Sequence, residues 1–197
     1  MKRAIALLEK HNLLKIISDE LDINLEIPHI AYVEVKRADS KAILFTNVVD
    51  RKNGKKFKEP VLMNVFCNED AVKLFIGDGD KIGSEIESLL KLKPPVTFSE
   101  KLSTLGKLFS LKNTIPKKIK GKGICQEVIK LGADAKLSDL PVIKTWEEDG
   151  GPFITMGQVY TQSLNGELKN LGMYRLQVFE DNTLGMHWQI HKDSNHF

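Results

Sequence analysis

Two apolar runs on either side of "EDNT", Glu180 to Thr183, constrain this chain most. Asp and Asn supply turn chemistry there, and the flanking runs carry the apolar residues of two strands, so the pattern predicts a β-hairpin. An ordinary hairpin needs nothing further. This one, "NLGMYRLQVFEDNTLGMHWQIHKD" from Asn170 to Asp193, also holds an amide, an arginine, a tryptophan and two histidines. Those polar groups need another explanation.

The rest of the chain sets bounds on that explanation. Its 197 residues, 42% hydrophobic and 28% charged, fit an ordinary globular core with room for one domain and part of a second. No apolar run approaches the roughly 18 residues of a membrane span, so no transmembrane helix is expected. At the start, Glu9, Lys10 and His11 interrupt any signal-peptide core, and a cytoplasmic location is expected. Cys67 and Cys125 lie far apart without CxxC spacing, which suggests two reduced, structural thiols. The formal charge of +3 is small, and its excess is local: six lysines fall between Lys107 and Lys122. That run holds no arginine and a single aromatic, Phe109, whereas single-strand binders interleave stacking rings with charge. A solvated linker explains it better than a nucleic-acid site.

Periodicity divides the chain. Leu7, Leu14, Ile17 and Leu21 fall near helical spacing and predict an amphipathic helix over the first twenty residues. β-rich runs follow at Ala31 to Val35, Ala42 to Val49 and Val61 to Cys67, with Asn53-Gly54 marking a hairpin turn. "NEDAVKLFIG", with Asn68 as N-cap, and "DGDKIGSEIESLLKLKPP", stopped by Pro94-Pro95, read as helices. From Ile124 the texture becomes short β-like runs between turns, including "ICQEVIKLGAD" and "DGGPFITMGQVYTQSLNGELKN". The expected organisation is an N-terminal α+β domain over 1–106, a lysine-rich linker over 107–123 and a β-dominated sandwich or barrel portion over 124–197.

The chemistry-bearing residues gather in the last part. On a regular strand from Leu171 to Phe179, Asn170, Gly172, Tyr174 and Leu176 face one way, while Leu171, Met173, Arg175 and Gln177 face the other. His187 and His191, four apart, share a face if their strand is regular. One reading makes them half-exposed polar residues of an edge hairpin. The other starts from the need of a buried amide, guanidinium or imidazole for a partner. An amide oxygen and an imidazole suit Mn²⁺ or Mg²⁺ when carboxylates complete the shell, and an arginine beside such an ion suits a carboxylate or phosphate. Spacing alone leads to an anion and metal site on a β scaffold. In "EEDGGPF", Glu147 to Phe153, the glycines read most simply as a tight connection.

"DGGPFITMGQVYTQSLNGELKNLGMYR" followed by "LGMHWQIHKD" resembles the UbiD family of decarboxylases, typified by 3-polyprenyl-4-hydroxybenzoate carboxy-lyase. The resemblance runs from "IPHIAYVEVK" to the last residue. Its specific part is N-x-x-x-Y-R with a histidine sixteen residues after the arginine. It implies an α+β fold class, an N-terminal α+β domain followed by the first part of a flavin-reductase-like split β-barrel. That barrel would hold prenylated FMN with Mn²⁺ or Mg²⁺ and K⁺.

Residue by residue, the resemblance makes Asn170 and His191 metal ligands, with His191 also at the cofactor phosphate, and Arg175 the catalytic arginine near the substrate carboxylate. Met173, Tyr174, Arg175, His187, Trp188, Gln189, His191, Lys192 and Asp193 would bind the cofactor. The implied activity is decarboxylation of an aromatic acid, 3-polyprenyl-4-hydroxybenzoate or a related precursor of ubiquinone or menaquinone. Loss of CO₂ leaves electron density on an sp² carbon, which the modified flavin accepts, and a protein carboxylic acid returns a proton. Implied partners are the aromatic acid, a flavin prenyltransferase as cofactor source, further copies of the same chain at full length, and a membrane surface touched peripherally for a polyprenyl substrate. Nucleic acid is not among them. Family members are more than twice this length, and their remaining metal and acid/base carboxylates lie farther along. The chain is therefore expected to be an N-terminal portion, inactive alone. The alternative is a non-catalytic flavin-binding or assembly subunit that completes its site with another chain.

Overall fold

The computed structural model describes residues 1–91, 118, 120–192 and 195. Packing divides the chain into two compact units, Met1–Phe75 together with Gly132–Phe197, and Ile76–Leu131. The expected helix stop at Pro94-Pro95, and most of the expected linker at 107–123, lie outside the described residues. Among those described, no helix is long and apolar enough to cross a membrane.

The first unit opens with helix α1 (Lys2–Lys10), strand β1 (Leu14–Asp22) and helix α2 (Glu26–Val35). Here the periodicity expectation fails twice. The predicted twenty-residue helix ends after nine residues, because Asn12 takes a left-handed backbone (φ 57°) and Leu14 onward pairs in parallel with β2 (Ala42–Asp50). The β-like run Ala31 to Val35 is helical: Ile27, Ala31 and Glu34 are buried at helical spacing, and Pro28 sits in the first turn, where its missing N–H costs nothing. Burial on one side outweighs the β-preference of the valines.

β2 is the centre of the first sheet. β1 pairs it on one side, and β3 (Lys55–Lys56) and β4 (Val61–Met63) pair antiparallel with it, β3 across the expected Asn53-Gly54 turn. Helix α3 (Glu69–Ile76) starts as expected, with the Ala71 N–H donating to Asn68 Oδ1 at 2.9 Å. The core gathers Ile23, Ile27, Ile43, Phe45, Val48, Phe57 and Val61, and Ile143 from far along the chain joins it. Backbone bonds fix that insertion: Lys144 N–H donates to Ile23 O at 3.1 Å, and Leu25 N–H to Lys144 O at 3.1 Å. Phe153 N–H then donates to Ile143 O at 3.0 Å, so the start of β5 (Phe153–Gln162) is tied to this core through a single residue.

β5 pairs antiparallel with β6 (Lys169–Glu180), and β6 with β7 (Thr183–Met186), giving a three-stranded sheet whose second turn is the one read from "EDNT". In the other unit, α4 (Gly79–Leu90) is capped by Asp78, whose side chain accepts from the Asp80 and Lys81 N–H groups. The β-like run from Ile124 is not a strand. It forms 3₁₀ turns at Ile124–Gln126 and Gly132–Asp134, with Ile124, Val128 and Leu131 exposed, so its apolar residues gain no ladder partner to hold them extended.

Candidate functional site

Strand β6 carries the candidate residues on both of its faces. Its burial alternates as the sequence parity predicts: Asn170, Gly172 and Tyr174 point inward, while Leu171, Met173 and Arg175 are exposed. Asn170 and Arg175 therefore lie on opposite faces of one strand. Tyr174 is the buried anchor of the inner face. Its ring packs back over Gly172, where a Cβ would meet Tyr174 Cε2 at 2.4 Å, so only glycine fits beneath it.

β7 ends at Met186, so His187 and His191 do not share a strand face as expected. His187 continues the ladder by one bond only, its N–H donating to Arg175 O at 3.0 Å. The chain then turns over the inner face. The Trp188 ring lies 5.8 Å from that of Tyr174, and Lys192 Nζ stands 5.3 Å from the Tyr174 centroid. Trp188 to Lys192 thus covers the face that also presents Asn170. His187, Gln189 and His191 are exposed there, and Asp193 lies outside the described residues.

On the outer face, the Arg175 guanidinium carbon lies 4.1 Å from the Phe153 ring centroid, and Nη2 is 4.0 Å from Asp149 Oδ1. Met173 and Leu171 extend this face as exposed apolar residues. The sequence singled out Arg175 but not Phe153 or Asp149. Their motif was visible; the strand pairing that carries them to the arginine was not. A groove of about 550 Å³ elsewhere in this unit, bordered by Asp50, Lys55, Ser138, Glu180 and Asp181, contains none of the expected site residues.

The donor set can be tested against the groups the resemblance implies. The Tyr174 hydroxyl is buried without a hydrogen-bond partner, and with Trp188 and Lys192 it offers an O–H donor, ring faces and a cation close together. That fits an aromatic cofactor bearing a phosphate. For a metal the fit is partial. Asn170 and His191 are two neutral donors, and among the described residues no group of three His, Cys, Asp or Glu side chains gathers to hold an ion.

Comparison with known proteins decides the family. A family model described as 3-octaprenyl-4-hydroxybenzoate carboxy-lyase N-terminal domain matches residues 5–90, and the Rift-related domain of the same carboxy-lyase matches 117–197. The chain belongs to the UbiD family. Two relatives illustrate its extent: a protein of Helicobacter pylori (strain ATCC 700392 / 26695) is 46% identical over all of this chain and 32% of its own length. One of Aquifex aeolicus (strain VF5) is 40% identical over 96% of this chain and 38% of its own. The chain thus spans about a third of the curated relatives it matches. Among solved structures, the vanillic acid decarboxylase of Sedimentibacter hydroxybenzoicus in closed form superposes with a TM-score of 0.70 at 20% identity, covering 98% of this chain and 37% of that one. The UbiD-class enzyme HmfF of Pelotomaculum thermopropionicum, solved with FMN, superposes at 0.59 and 21% identity over 95% of this chain and 36% of its own. An evolved dimeric form of HmfF, at 0.58 and 20%, was solved with prFMN, and covers 95% of this chain and 38% of that one. The shared fold is the expected α+β class, and the family is one of decarboxylases.

Proposed function

We propose that this chain supplies, from both faces of β6, part of the site of a prenylated-FMN-dependent decarboxylase acting on an aromatic acid, a 3-polyprenyl-4-hydroxybenzoate or related quinone precursor, in the cytoplasm. Met1 to about residue 106 forms its N-terminal domain, and 124–197 the first part of a split-barrel cofactor domain. The observation that carries the reading is the convergence of Trp188 and Lys192 on the ring of Tyr174, the tyrosine of the N-x-x-x-Y-R element, whose hydroxyl is buried with no hydrogen-bond partner among the described residues.

Each residue then has a definite task. Tyr174, Trp188 and Lys192 hold the ring and phosphate end of the cofactor, with Met173, His187, Gln189 and Asp193 along the same segments. Asn170 and His191 contribute two ligands to Mn²⁺ or Mg²⁺, completed by carboxylates from outside this chain, and K⁺ binds nearby. Arg175 orients the substrate carboxylate through paired N–H donors. When bound, prenylated FMN supplies the electron sink that no side chain provides. A proton donor for the product carbon is also expected from outside these residues. Assembly with further chains and cofactor supply by a flavin prenyltransferase complete the proposal.

The test reconstitutes the purified chain with prenylated FMN and Mn²⁺, following retained flavin absorbance and CO₂ release from 3-polyprenyl-4-hydroxybenzoate. Flavin should be retained and release should stay at background. Release should appear when the protein is made at the full length of its relatives. Loss of a positioned acid typically costs about two to four powers of ten in rate, so the contrast is measurable. Turnover by the chain alone would place a catalytic carboxylate within it, with Glu147 and Glu148 the first to replace. No flavin retention at either length would remove the cofactor assignment.

A further inference from the structure

The turn "DGGPF" that leads into β5 closes around the outer face of β6 residue by residue. Asp149 Oδ2 accepts the Trp146 N–H at 3.1 Å, which pins that carboxylate to its own turn and leaves Oδ1 facing Arg175. At 4.0 Å this is an ion pair and too long for a hydrogen bond. Gly150 and Gly151 lie against Gln177: a Cβ on Gly150 would stand 3.0 Å from Gln177 Nε2, and one on Gly151 3.4 Å from it. Pro152 O accepts the Val178 N–H at 2.9 Å, which fixes the register. Phe153 then pairs across the ladder with Gln177, so its ring reaches the diagonal neighbour Arg175 at 4.1 Å.

An arginine about half exposed on a strand would ordinarily sample many rotamers. Contact with a ring face at this distance restricts the guanidinium while leaving its in-plane N–H groups free to bond. A carboxylate is recognised by two such parallel donors, so a fixed plane is what bidentate binding requires. Asp149 engages Arg175 only at ion-pair range, and the fork keeps unbonded donors.

We propose that Phe153 is a positioning residue for Arg175: its ring fixes the guanidinium plane so that the open edge of the fork receives a ligand carboxylate. This rests on the reading of Arg175 as the carboxylate-binding residue. Phe153 acts through Arg175 and touches no reacting atom.

The experiment titrates 4-hydroxybenzoate, and its uncharged analogue 4-hydroxybenzamide, into the purified chain while following the Arg175 Nε–Hε signal by NMR. In the unaltered protein Hε should lie upfield, shifted by the Phe153 ring, and should move with the acid and not with the amide. Phe153→Leu keeps apolar bulk in β5; it should lose the upfield shift and weaken acid binding about two- to fivefold, the size of an exposed cation–π contact. Phe153→Tyr, which keeps the ring face, should restore both. If Arg175→Ala binds the acid as well as the unaltered chain, or the unaltered chain binds none, the reading of Arg175 fails. If Arg175→Ala loses binding while a folded Phe153→Leu retains both the acid affinity and the Hε position, the reading stands and the positioning role is overturned.

Discussion

The rings of Tyr174 and Trp188 lie 5.8 Å apart at 55°, and the Tyr174 hydroxyl is buried with no hydrogen-bond partner among the described residues. Leaving such a group unpaired costs about 1–3 kcal/mol, because water no longer solvates it. Tyr174→Phe keeps the ring and removes the cost. Without ligand the variant should therefore be more stable by about 1 kcal/mol, a rise of roughly 2–4 °C in Tm. It should also retain less flavin after desalting. A lower Tm would mean that the hydroxyl has a partner in the free protein.

The same ring makes Gly172 sensitive. A Cβ there would fall 2.4 Å from Tyr174 Cε2, and the ring is buried and covered by Trp188, so it has little room to yield. Gly172→Ala should destabilise the sheet by about 1–3 kcal/mol, the usual cost of overpacking. Urea unfolding measures it directly. A midpoint equal to the unaltered protein's would show that the ring swings aside freely.

How far the sequence reached depended on whether local signals agreed with tertiary packing. Asn68 and Asp78 cap α3 and α4 where the sequence placed helix starts, and "EDNT" turns β6 into β7, since caps and turns are local chemistry. β1 and α2 were misread because their identities come from partners: β1 from the parallel ladder to β2, α2 from burial of Ile27 and Ala31. The opposite facing of Asn170 and Arg175 followed from parity alone. The shared face of His187 and His191 did not survive, because the ladder stops at Met186. The contact of Phe153 with Arg175 was out of reach for a different reason. A shift in register between Ile154 and Gly157 breaks the count from one strand to the other.

Stability should respond to acid through Glu26. The Arg51 guanidinium donates to Oε1 at 2.6 Å and the Asp22 N–H to Oε2 at 2.8 Å; these bonds, Arg51's foremost, hold the Glu26 carboxyl below its ordinary value. A carboxyl lowered in the folded state stabilises the protein above its unfolded pKa, about 4.3, and loses that contribution as pH falls through the folded value. With its side chain 43% exposed, the pair is screened and worth less than about 1 kcal/mol. Glu26→Gln should lower the urea midpoint slightly at pH 7, and the gap should narrow by pH 3. A gap that widens in acid would contradict the sign.

An anion stands beside Arg175. Asp149 Oδ1 stands 4.0 Å from Nη2, so an incoming carboxylate meets a fixed negative charge at the edge it must share. Asp149→Asn removes the charge and keeps an oxygen to accept the Trp146 N–H, so the turn should hold its shape. At 4 Å two unit charges interact by about 1 kcal/mol in water, and the half-exposed Arg175, where the ligand would bind, keeps the effect near that figure although Asp149 itself is only 18% exposed. Binding of 4-hydroxybenzoate should therefore strengthen, by about twofold to fivefold at low ionic strength. The gain should shrink as salt is raised, since exposed charges are screened within about 10 Å at 0.1 M. 4-Hydroxybenzamide should bind both proteins equally, because it carries no charge to repel. Isothermal titration of both ligands at two salt concentrations separates these outcomes. Weaker acid binding by Asp149→Asn would mean that the aspartate orients the guanidinium more than it competes with the ligand, and the charge argument would fall.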